Sequence, residues 1–194
     1  MIKKVKIKKG IRRFLFMERI IKFKDNIWSW RILSLIPVFL ILSALYFQHG
    51  MGLEPCVLCV YQRIGTITIF VGALLPQLFG LKNQVSKFFA YILWITGSSY
   101  TLWAAALQWH ESILAEKNPF FISQCGLGLE HIFPWILESE ILTGLFVAKG
   151  ICTEIDWEFL GLEMHHYMTL IALCFLISGL FYATVSLVQK IKGK

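Results

Sequence analysis

Four stretches of the chain are apolar almost without interruption, at about Trp28 to Phe47, Val57 to Leu78, Phe88 to Trp109 and Tyr167 to Val188. They do not alternate apolar with polar positions, which argues against strands. Each is about 20 residues long, the length at which a helix crosses roughly 30 Å of hydrocarbon. The pattern predicts an all-α membrane protein, a four-transmembrane-helix bundle with spans at about 28–47, 57–78, 88–109 and 167–188. Arg31 intrudes on the first span, and Pro37 is a candidate kink within it. Composition agrees. In 194 residues, 57% are hydrophobic and only 16% are charged, more apolar surface than a soluble domain of this size can hide.

Charge gives the spans a direction. Lys and Arg crowd residues 1–27, recur at Lys82 and Lys87 in the link after the second span, and return at Lys190, Lys192 and Lys194 in the 189–194 tail. By the positive-inside rule, both termini and that link face the cytoplasm. Residues 48–56 carry no Lys or Arg, and the 110–166 connection carries two, Lys117 and Lys149, against nine acids, so both belong outside. The net charge of +7 thus reflects topology and attraction to anionic lipid, and nucleic-acid binding is the weaker reading of the basic tail. That tail is expected to form an amphipathic surface helix. The first apolar run is long and is not followed by an A-x-A-like cleavage site, so it reads as a retained span and not as a signal peptide.

The topology then distributes the cysteines. Cys56 and Cys59 fall at the outer end of the second span, Cys125 and Cys152 in the long outer connection, and Cys174 inside the fourth span, where it reads as a small packing residue. Four cysteines on an oxidising side suggest two disulfides. Proximity would pair Cys56 with Cys59 and Cys125 with Cys152, although four cysteines allow three pairings. A C-x-x-C pair at a helix N-terminus gains thiolate stabilisation from unpaired amides and the helix dipole. Cys59 is expected in the first helical turn, with Arg63 four residues on and on the same face. A guanidinium at a membrane lip is costly unless used, either to stabilise a thiolate or to stabilise charge on an electron acceptor. Snorkelling to headgroups is its structural alternative. An acceptor reached from the bilayer must be lipid-soluble, and a quinone meets that requirement.

Other chemistries fit less well. Val60 stands where covalent c-type haem attachment needs His, and zinc would need a second close ligand pair. His165 and His166 are adjacent, so their side chains should diverge on a helix, and no metal site is expected. His110 ends the third span beside Trp109, on the same side as Cys59, and is the histidine placed to touch a bound ring. Within the outer connection, the spacing of Leu137, Ile141 and Leu145 suits a short helix lying on the membrane surface.

These residues carry a resemblance. The stretch "YFQHGMGLEPCVLCVYQR", the pair Cys125 and Cys152, and "DWEFLGLEM" before the last span resemble the DsbB family of bacterial inner-membrane disulfide bond formation proteins. The likeness runs from about Trp30 to the end of the fourth span. It implies a four-helix bundle in the inner membrane that reoxidises a periplasmic DsbA-like thiol oxidase and passes the electrons to a quinone, ubiquinone or menaquinone. It also implies that Cys56 and Cys59 are the quinone-coupled pair, that Cys125 and Cys152 meet the partner, and that Arg63 lies beside the quinone. His110 falls near the family's quinone-side histidine, with a slightly different spacing to Cys125. The long basic tail and Cys174 depart from the pattern. Two other readings stay open, a related membrane oxidase serving a dedicated substrate and a non-enzymatic anchor with structural disulfides.

Overall fold

The computed structural model describes residues 26–118, 120, 121, 123, 125–153 and 157–192. The expected surface helix of the basic tail lies outside the described residues. Four long helices dominate. These are α1 (Ile27–Gly50), α2 (Val57–Phe79), α3 (Gln84–Lys117) and α6 (Met164–Lys192). Each expected span falls within one of them, and the helices run past the apolar runs into polar sequence, for α3 by a full two turns to Lys117. The last helix continues to Lys192, so most of the expected C-terminal tail is helical. Helix α1 passes through Pro37 as one continuous helix.

Among the described residues, three segments, Ile27–Gly50, Val57–Phe79 and Met164–Gln189, are long and apolar enough to cross a membrane by length and composition. Helix α3 is not among them, and its packing explains why. It lies between α2 and α6, and the side facing its neighbours carries Gly97, Ser98, Thr101, Ala104 and Ala105, all buried. Gly65 of α2 and Gly97 of α3 meet backbone to backbone. A Cβ on Gly97 would lie 2.7 Å from the Gly65 carbonyl oxygen, and one on Gly65 would strike the Thr101 hydroxyl. Small residues of this kind let helices approach closely where lipid offers no hydrophobic drive for association. They also lower the mean hydropathy of the helix that carries them.

Away from the cysteines, the core is aromatic. Trp30 packs on Tyr91 and Trp94 at ring-centroid distances of 5.8 and 6.3 Å, and Trp94 meets Tyr182 at 6.1 Å. Gln77 of α2 donates from Nε2 to the Trp30 carbonyl and the Ser34 hydroxyl of α1, both at 3.2 Å. A short turn closes this end, and Asn83 caps α3 by accepting from the Val85 and Ser86 amides.

The long connection from α3 to α6 folds against the opposite end. It holds α4 (Leu129–Ile132), a 3-10 turn (Pro134–Glu138) and α5 (Glu140–Phe146). Two two-residue strands follow, β1 (Glu158–Phe159) and β2 (Leu162–Glu163), paired antiparallel. The expected surface helix is therefore divided. Leu137 belongs to the 3-10 turn, Ser139 is extended at φ −118° and ψ 123°, and Ile141 and Leu145 belong to α5. The hairpin turns through Leu160 and Gly161 at φ 53° and 77°, the doubly left-handed geometry of the tightest two-residue hairpin turns. Tyr167 steadies it by donating to the Phe159 carbonyl at 2.6 Å.

Candidate redox site

Helix α2 begins where the C-x-x-C sequence predicts. Cys56 is the N-cap, extended at φ −80° and ψ 169°, and its sulfur accepts the Cys59 backbone amide at 3.2 Å. A thiol thus occupies the position that Ser or Asp usually fills, satisfying one of the orphan amides of the first turn. Cys56 is 2% exposed. Its thiol is pushed above the ordinary range, first by side-chain hydrogen bonding with Cys59 and then by burial. Both Cys56 and Cys59 are free thiols, whereas Cys125 and Cys152 are joined in a disulfide.

The two pairs meet. Cys56, Leu58 and Cys152 form one buried cluster, with Cys59, Tyr61, Leu107 and Cys125 packed against it. Backbone contacts bring the distant segments together. The amides of Lys149 and Gly150 both donate to the carbonyl of Pro55, at 3.0 and 3.1 Å. Gly150 is required for that approach, because a Cβ there would strike the Glu54 carbonyl oxygen. Two residues later the chain delivers Cys152 beside Cys56. On the other side, Tyr61 donates to the Leu127 carbonyl at 2.8 Å, holding the Cys125 segment against α2. The Ser123 hydroxyl lies 2.7 Å from the Cys125 sulfur and donates to Glu111 at 3.0 Å.

Beside the thiols is a cavity of about 220 Å³. Its apolar walls include Leu40, Phe47, Met168 and Ile171, and its polar lining includes Cys56, Cys59, Gln62, Arg63, Gln108 and His165. Arg63 and Cys59 share it, as the i+4 spacing predicts. Arg63 does not reach outward. It is 6% exposed and donates from Nη1 to Gln48 of α1 at 3.0 Å and to the carbonyls of Gly144 and Leu145 at 3.4 and 3.1 Å. One guanidinium thereby ties α5 to the bundle at the cavity wall.

The histidines are arranged differently from expectation. His110 is exposed and does not line the cavity. The α3 residue that does is Gln108, two positions earlier and on the opposite side of the helix. Its amide lies 3.7 Å from the Cys59 sulfur, and its oxygen accepts from Gln62 at 2.8 Å. A lone glutamine in an apolar run was the available signal, since polar groups inside a span are expensive and seldom idle. His165 and His166 do not diverge. Their ring centroids lie 4.2 Å apart in the first turn of α6, with the Trp109 ring 4.8 Å from His166. Cys174 is exposed and lines an open apolar groove with Trp30, Leu33 and Phe175, so it is not buried in the interior.

Comparison with known proteins gives the family. The family described as "Disulfide bond formation protein DsbB" matches residues 26–182. A protein named disulfide bond formation protein B from Idiomarina loihiensis is 36% identical over 168 residues, covering 86% of this chain and 90% of that one. A namesake from Shewanella amazonensis is 34% identical over 166 residues, covering 86% and 95%. Another, from Shewanella loihica, is 30% identical over 177 residues, covering 91% of this chain and all of that one. With Cys56, Cys59, Cys125 and Cys152 gathered at one end of a helical membrane protein, the chain belongs to the DsbB family of disulfide bond formation proteins.

Proposed function

We propose that this protein is a membrane thiol–disulfide oxidoreductase that reoxidises a DsbA-like dithiol partner and delivers the electrons to a membrane quinone. The observation that carries this reading is the packing of the Cys125–Cys152 disulfide against the free Cys56 thiol in one buried cluster. Structural staples have no need of a second, unpaired C-x-x-C pair within the same cluster.

The chain's own residues account for the exchange steps. A partner thiolate attacks Cys125, the sulfur flanked by an exposed loop, forming a mixed disulfide and releasing Cys152 as thiolate. The partner's second thiol then resolves the mixed disulfide, leaving Cys125 and Cys152 reduced. Exchange with a Cys56–Cys59 disulfide restores Cys125–Cys152 and moves the two electrons to the Cys56–Cys59 dithiol. Each step forms one S–S bond as another breaks, with a thiolate as nucleophile and a thiolate leaving. Packing between the pairs makes the internal exchange a proximity effect and not a second encounter.

The cavity fits a quinone headgroup in chemistry. Leu40, Phe47, Met168 and Ile171 offer apolar surface to a ring, while Arg63, Gln62 and Gln108 offer donors to its oxygens. A bound quinone supplies a lipid-soluble acceptor for the two electrons and two protons released when the Cys56–Cys59 dithiol closes to a disulfide. Gln108, and not His110, is the α3 side chain assigned to this cavity; the exposed position of His110 suits the solvent face of the same end.

The bundle spans the bacterial inner membrane four times, with the termini and residues 80–87 cytoplasmic and residues 110–166 periplasmic. Helix α3 serves as the remaining span because it packs between two helices that are apolar enough to cross, and Ser98, Thr101 and Gln108 are buried there. A membrane-impermeant thiol reagent is expected to label a Glu130→Cys variant in spheroplasts and to spare Lys82→Cys; the reverse pattern would invert the orientation. The activity itself is tested by adding reduced partner and a quinone to the purified protein. Quinone reduction is expected, and its absence in folded protein would overturn this reading in favour of the dedicated-substrate oxidase or the anchor.

A further inference from the structure

We propose that Glu163, His165 and His166, where the hairpin runs into α6, form a binding site for a divalent transition-metal ion of the zinc type. One ligand atom from each of the three residues lies within 4.8 Å of the others. The Glu163 Oε2 to His165 Nδ1 distance is 3.1 Å. Two donors each about 2.1 Å from a single ion lie roughly 3.0–3.4 Å apart, so this pair already has the separation of one edge of a coordination polyhedron. The third residue carries an unused donor. His166 Nδ1 is buried and has no hydrogen-bond partner among the described residues. A buried polar atom without a partner is costly, and a ligand that accepts its lone pair removes the cost.

The surroundings of the triad are those of a metal centre. His165 is 4% exposed, and its outer nitrogen, Nε2, lies 3.5 Å from the Ser112 hydroxyl of α3. A second contact of this kind fixes the orientation of a ligating imidazole. The Trp109 ring lies against His166 and holds both imidazoles on one side of the helix. The turn through Leu160 and Gly161 brings β2 back so that Glu163 immediately precedes the helix that supplies the histidines. Two imidazole nitrogens and one carboxylate oxygen are the borderline donor set that favours Zn²⁺ over the hard cations Mg²⁺ and Ca²⁺, which prefer oxygen alone. Three protein ligands leave a fourth position open, and Glu163 and His165 also line the cavity beside Cys59.

The test uses the full chain in detergent, with the free thiols alkylated so that sulfur cannot bind the metal, and Zn²⁺ alone as the probe. Equilibrium dialysis is expected to show about one zinc per chain. Glu163→Gln and His166→Gln are expected to weaken binding at least about tenfold while the thermal midpoint of the metal-free protein holds. Because a variant could fail to fold, a second measurement stays on the wild type. Zinc is expected to protect His166 from acylation by diethyl pyrocarbonate while His49, His110 and His131 remain reactive. Zinc binding no greater than the detergent blank, equal binding by both variants, or an unchanged acylation rate at His166 would each overturn the site.

Discussion

At one end of the bundle, Trp30, Tyr91 and Trp94 pack ring against ring and a four-residue turn joins the helices. At the other, two connections remote in sequence are held by a handful of polar contacts: Lys149 and Gly150 on Pro55, Tyr61 on Leu127, and Arg63 on Gln48, Gly144 and Leu145. The first end is stabilised by burial and by aromatic pairs worth about 0.5–1.5 kcal/mol each beyond their area. The second combines the Cys125–Cys152 disulfide and its small buried cluster with single hydrogen bonds of about 0.5–1.5 kcal/mol, somewhat more where the donor is charged. Local opening is drawn from the low-stability parts of a fold. The difference suits the proposed relay, in which Cys125 and Cys152 exchange partners while Cys56 and Cys59 stay at a fixed helix end.

The comparison is broken most completely by removing sulfur. Cys59→Ala is expected to abolish quinone reduction, and Cys125→Ala to abolish transfer from the partner while leaving the Cys56–Cys59 pair reactive toward quinone. Stopped-flow oxidation with each substrate separates them, and a Cys125→Ala protein that still oxidised its partner would remove Cys125 from the relay. Next in size is the helix contact. Gly65→Val places a side chain against Thr101 and the Gly97 carbonyl, and overpacking of this kind is expected to cost about 3 kcal/mol. Thermal unfolding in detergent reads it as loss of the whole bundle, with no selective effect on the redox end.

Arg63→Ala should act on one end alone. Removing the guanidinium leaves the Gly144 and Leu145 carbonyls without their donor, a loss of about 2 kcal/mol. Amide exchange across 140–146 is expected to accelerate roughly thirtyfold, with the aromatic end unchanged and quinone reduction slowed. Arg63→Lys should recover only part, since an ammonium cannot reproduce the planar fork. Equal acceleration at both ends would show that Arg63 serves global stability instead. Gly150→Ala is smaller, about 1 kcal/mol. It pushes Cys152 away from Cys56 and should slow internal disulfide exchange several-fold while lowering the melting temperature by only about 2–4 °C; an unaltered exchange rate would remove the Pro55 contact from the mechanism. Cys174→Ala, in the open apolar groove, is expected within about 0.5 kcal/mol of wild type in stability and equal to it in turnover. Lost turnover in folded protein would give that thiol a function.

Apolar run length alone determined the helical membrane class, and the C-x-x-C preceded by Pro55 determined where α2 starts, because both are local properties of consecutive residues. The placement of Cys59 in the first turn, with Arg63 one turn on, follows from helix periodicity for the same reason. Tertiary structure decided what local rules cannot reach. Whether α3 presents Gln108 or His110 to the cavity depends on how the helix is rotated against α2, which the Gly65–Gly97 contact sets. Adjacent histidines were expected to diverge, but the turn at Leu160–Gly161 and the Trp109 ring gather them with Glu163. The meeting of Cys152 with Cys56 is the extreme case. It rests on the carbonyl of Pro55 receiving two amides almost a hundred residues away, at a glycine chosen for the space a Cβ would fill, and close packing of that kind leaves no periodicity in the sequence that contains it.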